Sequence, residues 1–193
     1  LEALFTSSEE TGMVGAKGLQ GGWLKGRYLI NLDYEDEGEL CIGCAGGVDG
    51  SYTLPYATRA VRLPGYRLMV RGLRGGHSGV DIHRLRGNAI RILAQALVAI
   101  GATEIADLSG GNLHNAIPRE AQALIGLTDE AAATAARAVL ARLVEQIRQG
   151  LAQDSQGLTL VLEPAEEEVT QVIEDVQRLL DVLRVLPNGV DQM

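Results

Sequence analysis

Apolar and polar positions alternate, run and repeat along this chain in ways that assign most of its elements. Residues 1–6 form an apolar run that reads as a short buried strand entering the turn Ser7-Ser8-Glu9-Glu10-Thr11-Gly12. A helix after this turn is weakened by Gly12, Gly15, Gly18, Gly21 and Gly22. Arg27 to Leu32 is strand-like and closes on Asp33, and Leu40 to Ala45 is a further short strand stopped by Gly46-Gly47. Residues 46–65 carry many Gly, Pro and Thr and read as a connection. From Tyr66 the pattern becomes regular. Leu68, Val70 and Gly72 alternate with Arg67, Met69 and Arg71, the mark of a half-exposed strand. Ala89, Ile92, Leu93, Ala96, Leu97 and Ile100 recur at helical spacing, and Gly101 suits the helix end. Glu104–Leu108 and Glu120–Leu127 read as strands. Thr128 to Leu151 is the strongest helix, striped by Leu140, Leu143, Val144, Ile147 and Leu151, with Thr128 and Asp129 offering the cap. Leu158, Leu160 and Leu162 alternate as a strand up to Pro164. Val169, Ile173, Val176, Leu179, Leu180 and Leu183 predict a last amphipathic helix, stopped by Pro187-Asn188-Gly189.

Residues 66–163 therefore read as β-α-β-β-α-β, the order of a ferredoxin-like α+β sandwich: an antiparallel sheet with helices on one face. The expected organisation is a partial α/β segment over 1–47, a connection over 48–65 and an α+β domain over 66–193.

Composition supports a packed domain. The 193 residues are 46% hydrophobic and 22% charged, which excludes a disordered chain. With 4% aromatics, the core must be built from Leu, Ile, Val and Ala. No stretch approaches the roughly 18 apolar residues of a membrane span, and no signal-peptide pattern is visible. The net charge of −8 argues against nucleic acid as a partner. Arginines nevertheless cluster between Arg59 and Arg91, leaving room for a local anion site. Cys41 and Cys44 form one Cys-x-x-Cys, half a structural zinc site at most, and read as free thiols in a reducing cytoplasm. A redox role is disfavoured because the pair is not at a helix N-terminus that would activate a thiol.

Candidate chemistry lies in the loops. Glu9-Glu10 follows a strand, where one carboxylate can ligate a divalent metal and its neighbour can take a proton from metal-bound water; the plain alternative is an exposed acidic turn. Asp33 ends a strand, as ligands do in open α/β sheets, but equally suits a turn. Gly75-Gly76-His77-Ser78-Gly79 lets a backbone approach a ligand closely and presents an imidazole that can donate to an oxyanion. His83 reads as a helix start. In Asn112-Leu113-His114-Asn115-Ala116-Ile117-Pro118-Arg119, Asn115 and Arg119 can bind a carbonyl and a carboxylate, against a simple β-turn.

Taken in order, Thr6–Gly12, Leu29-Ile30-Asn31-Leu32-Asp33, Gly43-Cys44-Ala45-Gly46-Gly47, Gly75–Gly79 with Ile82-His83, Gly87-Asn88-Ala89, Asn115–Glu120 and Pro187-Asn188-Gly189-Val190 closely resemble the aminoacyl-histidine dipeptidases, a carnosinase-like dizinc metallopeptidase family. The resemblance runs over nearly the whole chain. It implies a general base at Glu9, zinc ligands at Glu10 and Asp33, and a lid histidine at His77 that polarises the scissile carbonyl. It also implies substrate contacts from Asn115 and Arg119, two zinc ions per complete site, a Xaa-His dipeptide substrate and a homodimer formed through the lid. The chain departs from the pattern in lacking the family's remaining zinc ligands, in having His114 where Arg is expected, and in having Tyr34 where a small residue is usual. The resemblance thus implies a central piece of such an enzyme, mostly lid, inactive alone. The alternative is a non-catalytic lid and dimerisation module that clamps substrate.

Overall fold

The computed structural model describes residues 1–33, 37–43, 48 and 50–189. It divides into two compact units, Leu1–Val48 and Asp49–Met193. The predicted positions Tyr34, Glu35, Cys44 and Val190 lie outside the described residues.

In the first unit the only regular element among the described residues is one helical turn, α1 (Val14–Lys17). The expected helix is thus cut to a single turn by the glycines around it. The strands expected over 1–6 and 27–32, and the described part of that over 40–45, do not form. A strand is stable only when a neighbour satisfies its backbone groups, and no neighbour is present among these residues. Phe5, Tyr28, Leu29, Leu32, Leu40 and Ile42 stay exposed as a result.

The second unit begins earlier than its regular pattern suggests. Thr58–Leu63, placed by sequence within the connection, is strand β1. It pairs antiparallel with β8 (Val169–Ile173), the segment expected to open the last helix. Val169 and Ile173 fit helical spacing as well as they fit a strand. The β-branched run Val-Thr-Gln-Val-Ile and the presence of β1 decide for the strand. The true helix α4 (Val176–Val185) starts after Asp175, whose carboxylate accepts from Arg178 N.

The remaining elements follow the expected order, except that two short strands form at 76–77 and 116–117, within segments read as loops. They are β2 (Gly65–Arg71), β3 (Gly76–His77), α2 (Ala89–Ala99), β4 (Ile105–Gly110), β5 (Ala116–Ile117), β6 (Ala121–Gly126), α3 (Glu130–Arg148) and β7 (Thr159–Pro164). Four strands form one antiparallel sheet in the order β4-β6-β2-β7. This is the ferredoxin-like arrangement, with the first strand central. Leu68 of β2 sits opposite Ala123 of β6 and Leu162 of β7.

Tyr66, Leu68 and Val70 of β2 share one sheet face with Ala121, Ala123 and Ile125 of β6. That face packs on Ile92, Leu93, Ala96 and Leu97 of α2 and on Ala133, Ala136 and Leu140 of α3, while Val176 and Leu180 of α4 complete the cluster. The small alanines let the helices approach closely. Asp129 caps α3 by accepting from Ala132 N, and Asn88 caps α2 by accepting from Ile90 N and Arg91 N. Gly101 (φ +66°) takes the left-handed position after α2. Arg137 donates to Leu162 O and Arg148 to Leu158 O, tying α3 to β7 and to the residue just before it.

Candidate functional site

Two loops far apart in sequence are joined by the shortest sheet among the described residues. β3 pairs antiparallel with β5, placing Gly76 opposite Ile117 and His77 opposite Ala116. Ser78 N–H then donates to Asn115 O at 2.8 Å. The glycine-rich loop and the Asn-Ala-Ile-Pro loop, recognised separately in the sequence, are thus one structure. Glycine is needed for this meeting. Gly76 has φ +150°, and a Cβ there would lie 2.6 Å from Asp81 Oδ2 and overlap Arg86 Nη1. At Gly75 (φ +68°) a Cβ would press on Ile117 O and on Arg119.

His77 is exposed, yet its ring is oriented. Nδ1 accepts from Gly79 N at 3.0 Å and from Val80 N at 3.2 Å. An imidazole nitrogen that accepts carries no proton, so the ring proton sits on Nε2. Nε2–H is then a donor available to an external oxygen. The loop backbone is held at His77 N, which donates to Asp81 Oδ2 at 3.0 Å. That hydrogen bond, with Arg86 and Arg84 beside it, holds the Asp81 carboxyl below the ordinary aspartate range.

An open cleft of about 610 Å³ lies next to this pair of loops. Ser78, Asn88, Gly111, His114, Pro118 and Asn188 are among its lining. Asn88 Nδ2 donates to Asn188 Oδ1 at 2.8 Å, so the Pro187-Asn188-Gly189 turn closes one side of the cleft. Asn115 and Arg119 flank the cleft without lining it, the first half-buried and the second exposed. His83 falls in a 3-10 turn (Ile82–Arg84) ahead of α2. Sequence reasoning met Asn88 and Asn188 only within the blocks of the resemblance and gave neither a role at the site, although an Asn before an apolar helical run is a cap signal. It also missed Arg86, whose only signal is a place beside the Gly87-Asn88 start of α2.

The carboxylates belong to the first unit. Glu9 and Glu10 sit on an exposed turn in which Glu9 O accepts from Gly12 N and Met13 N. Asp33 is exposed too, and its N–H donates to Asn31 Oδ1, an Asx turn. Among the described residues, no three His, Cys, Asp or Glu side chains come together as a metal site would need. Zinc asks for at least three protein ligands, so the described carboxylates alone do not fit it. Cys41 is free and exposed, with its thiol directed to Gly43 O. No helix among the described residues is long and apolar enough to cross a membrane.

Comparison with known proteins gives this geometry a context. Residues 68–155 match the family described as peptidase dimerisation domain. Over 98% of its length the chain is 37% identical to the cytosol non-specific dipeptidase of Escherichia coli (strain K12), of which it spans 40%. Among solved structures it resembles the aminoacylhistidine dipeptidase of Vibrio alginolyticus, with a TM-score of 0.79 and 37% identity. That match covers 97% of this chain and 39% of the other. Over nearly its whole length the chain is thus similar to the aminoacylhistidine dipeptidases, of which it spans about two fifths, and its larger unit contains the match to a peptidase dimerisation domain.

Proposed function

We propose that this chain contributes the lid, the general base and part of the metal-binding set of a cytoplasmic, zinc-dependent dipeptidase acting on Xaa-His dipeptides. One observation carries the reading: the β3–β5 ladder holds His77, its Nδ1 taken up by Gly79 N and Val80 N, next to Ser78, which lines a cleft large enough for a dipeptide. A carbonyl oxygen placed on Nε2–H gains a hydrogen bond that strengthens as the oxygen becomes an oxyanion. Glu9 takes the proton of the attacking water and returns it to the leaving amine. Asn115 and Arg119 flank the same cleft, where an amide and a guanidinium can hold the peptide carbonyl and its C-terminal carboxylate. Glu10 and Asp33 are the zinc ligands in this reading. Two carboxylates alone do not make a zinc site, so the remaining ligands must come from elsewhere.

The exposed apolar side chains of the first unit support the same view. Phe5, Leu29, Leu32 and Ile42 lie exposed in segments of strand composition that pair with nothing among the described residues, as pieces of a larger sheet would. The larger unit serves as the dimerising domain, so the working form is a homodimer. The test is to express the reading frame that encodes this chain and to assay Xaa-His hydrolysis with zinc. Activity is expected, with Glu9→Gln lowering kcat by about 10²- to 10⁴-fold. Full activity in that variant would refute the assignment.

The absence of a three-ligand cluster among the described residues favours a second reading, a non-catalytic clamp that self-associates. Calorimetric zinc titration of the same product separates the two. Stoichiometric binding supports the peptidase, and no binding together with concentration-dependent dimerisation supports the clamp.

A further inference from the structure

The His77 loop is anchored on a charge that the chemistry above does not use. We propose that Arg86 is a positioning residue, which sets the orientation of the His77 imidazole by binding the carboxylate that holds the His77 backbone. The proposal rests on the reading of His77 as the lid donor.

Arg86 is 6% exposed, the only buried cation among the described residues. Its Nη1 donates to Gly75 O at 3.0 Å and pairs with Asp81 Oδ2 at 2.9 Å. The same Oδ2 accepts the His77 N–H. One carboxylate oxygen therefore links the buried guanidinium to the residue that carries the imidazole. On its other side, Arg86 Nε lies 3.3 Å from Asp154 Oδ2. That contact is ionic only, because the Nε–H is buried without a hydrogen-bond partner. Arg74 also approaches Asp154, at 3.5 Å. Three stretches of chain thus meet on one side chain: the glycine loop, the 3-10 turn, and the connection from α3 to β7.

The backbone is shaped to bring Arg86 inward. Leu85 takes a left-handed conformation (φ +51°), which a bulky residue adopts only when its surroundings force it. Its side chain is 67% exposed, so no burial repays the strain. Ala152 N, in the α3–β7 connection, donates to Leu85 O at 3.1 Å and holds the turn. The turn at Leu85 is what allows the following residue to face the interior.

Stability alone is a poor reason for this arrangement. A buried ion pair gives little net stabilisation, and apolar replacements of similar size often do as well. What the guanidinium supplies is direction, since its planar head puts Nη1 on both Gly75 O and Asp81 Oδ2 while Nε faces Asp154. The ring of His77 takes its orientation from Gly79 N and Val80 N, and those groups lie where the backbone from His77 to Asp81 puts them. Loosening Arg86 therefore lets the ring sample both tautomers and lowers the share with a proton on Nε2.

The chain has three histidines, His77, His83 and His114, so each imidazole can be assigned by nitrogen-15 NMR. In the unaltered chain the His77 Nδ1 should resonate as an unprotonated acceptor and Nε2 as protonated. Arg86→Met should give averaged, mixed-tautomer shifts at His77 alone, with His83 and His114 unmoved. Arg86→Lys, which keeps the charge but reaches one acceptor, should fall between. Asp81→Ala should behave like Arg86→Met. An unchanged His77 signature in folded Arg86→Met would overturn the proposal. If that variant does not fold, an unchanged signature in Arg86→Lys overturns it equally.

A second readout uses the product of the whole reading frame, where Arg86→Lys should lower kcat on a Xaa-His dipeptide by about 10- to 100-fold with KM little changed. Equal losses in Arg86→Lys and in a remote destabilising variant would also overturn the proposal. If no form of the protein hydrolyses dipeptides, the peptidase reading fails, while the tautomer measurement still decides the role of Arg86.

Discussion

Asn88 performs two tasks with the two ends of one amide, and its removal should be measurable. Its Oδ1 accepts from Ile90 N at 3.0 Å and Arg91 N at 3.4 Å, which caps α2. Its Nδ2 donates to Asn188 Oδ1 at 2.8 Å. Losing an Asn cap costs about 1 kcal/mol, and losing one further hydrogen bond about 0.5–1.5 kcal/mol. Asn88→Ala should therefore destabilise the larger unit by about 2 kcal/mol, or about 4–8 °C in Tm for a domain of this size. Asn88→Asp separates the two tasks. The aspartate still caps α2 but has no donor for Asn188, so it should recover about half of the loss. Urea denaturation followed by circular dichroism provides both values, with the slope m unchanged. A loss below about 0.5 kcal/mol in Asn88→Ala, or equal losses in the two variants, would refute the division of labour.

Two further outcomes follow from the packing and the charges. Leu93 is fully buried between the sheet and the helices, so Leu93→Ala should cost about 3–5 kcal/mol, read as a lower urea midpoint. Asp81 is held below the ordinary aspartate value of 3.8 by the His77 N–H and by Arg86 and Arg84. A carboxyl with a lowered folded pKa contributes fully above its unfolded value and loses that contribution as pH falls through the folded one. The His77 amide resonance should therefore titrate with a midpoint below 3.8, and a midpoint above it would contradict the anchoring.

How much of this was legible in the sequence depends on how local each element is. α2 and α3 could be read because their apolar stripes, and for α3 the cap at Asp129, lie within a few residues of each other. The order β-α-β-β-α-β could be read for the same reason, since each strand alternates over its own length. β1 and β8 could not be read, because each is a strand only by virtue of the other. The apolar runs at 1–6 and 27–32 fail in the opposite sense. They have strand composition but no neighbour to pair with, and composition alone cannot supply one. The site divides similarly. His77, Asn115 and Arg119 were picked out from their loops, while the meeting of those loops rests on a ladder of two residues. Arg86 was invisible because its burial depends on a left-handed Leu85 and on Asp154 arriving from another part of the chain. The roles of Glu9, Glu10 and Asp33 rest on resemblance, and the described residues bring no further ligand to them.

The β3–β5 ladder has a consequence for engineering. It makes His77 and Asn115 parts of a single rigid tile, although the chain between them runs through all of α2 and β4. A change of length in either loop would detune both, and neither loop could be grafted onto another scaffold by itself. The portable unit is the pair of loops, carried together with the helix start at Asn88 that Pro118 O anchors through Ala89 N.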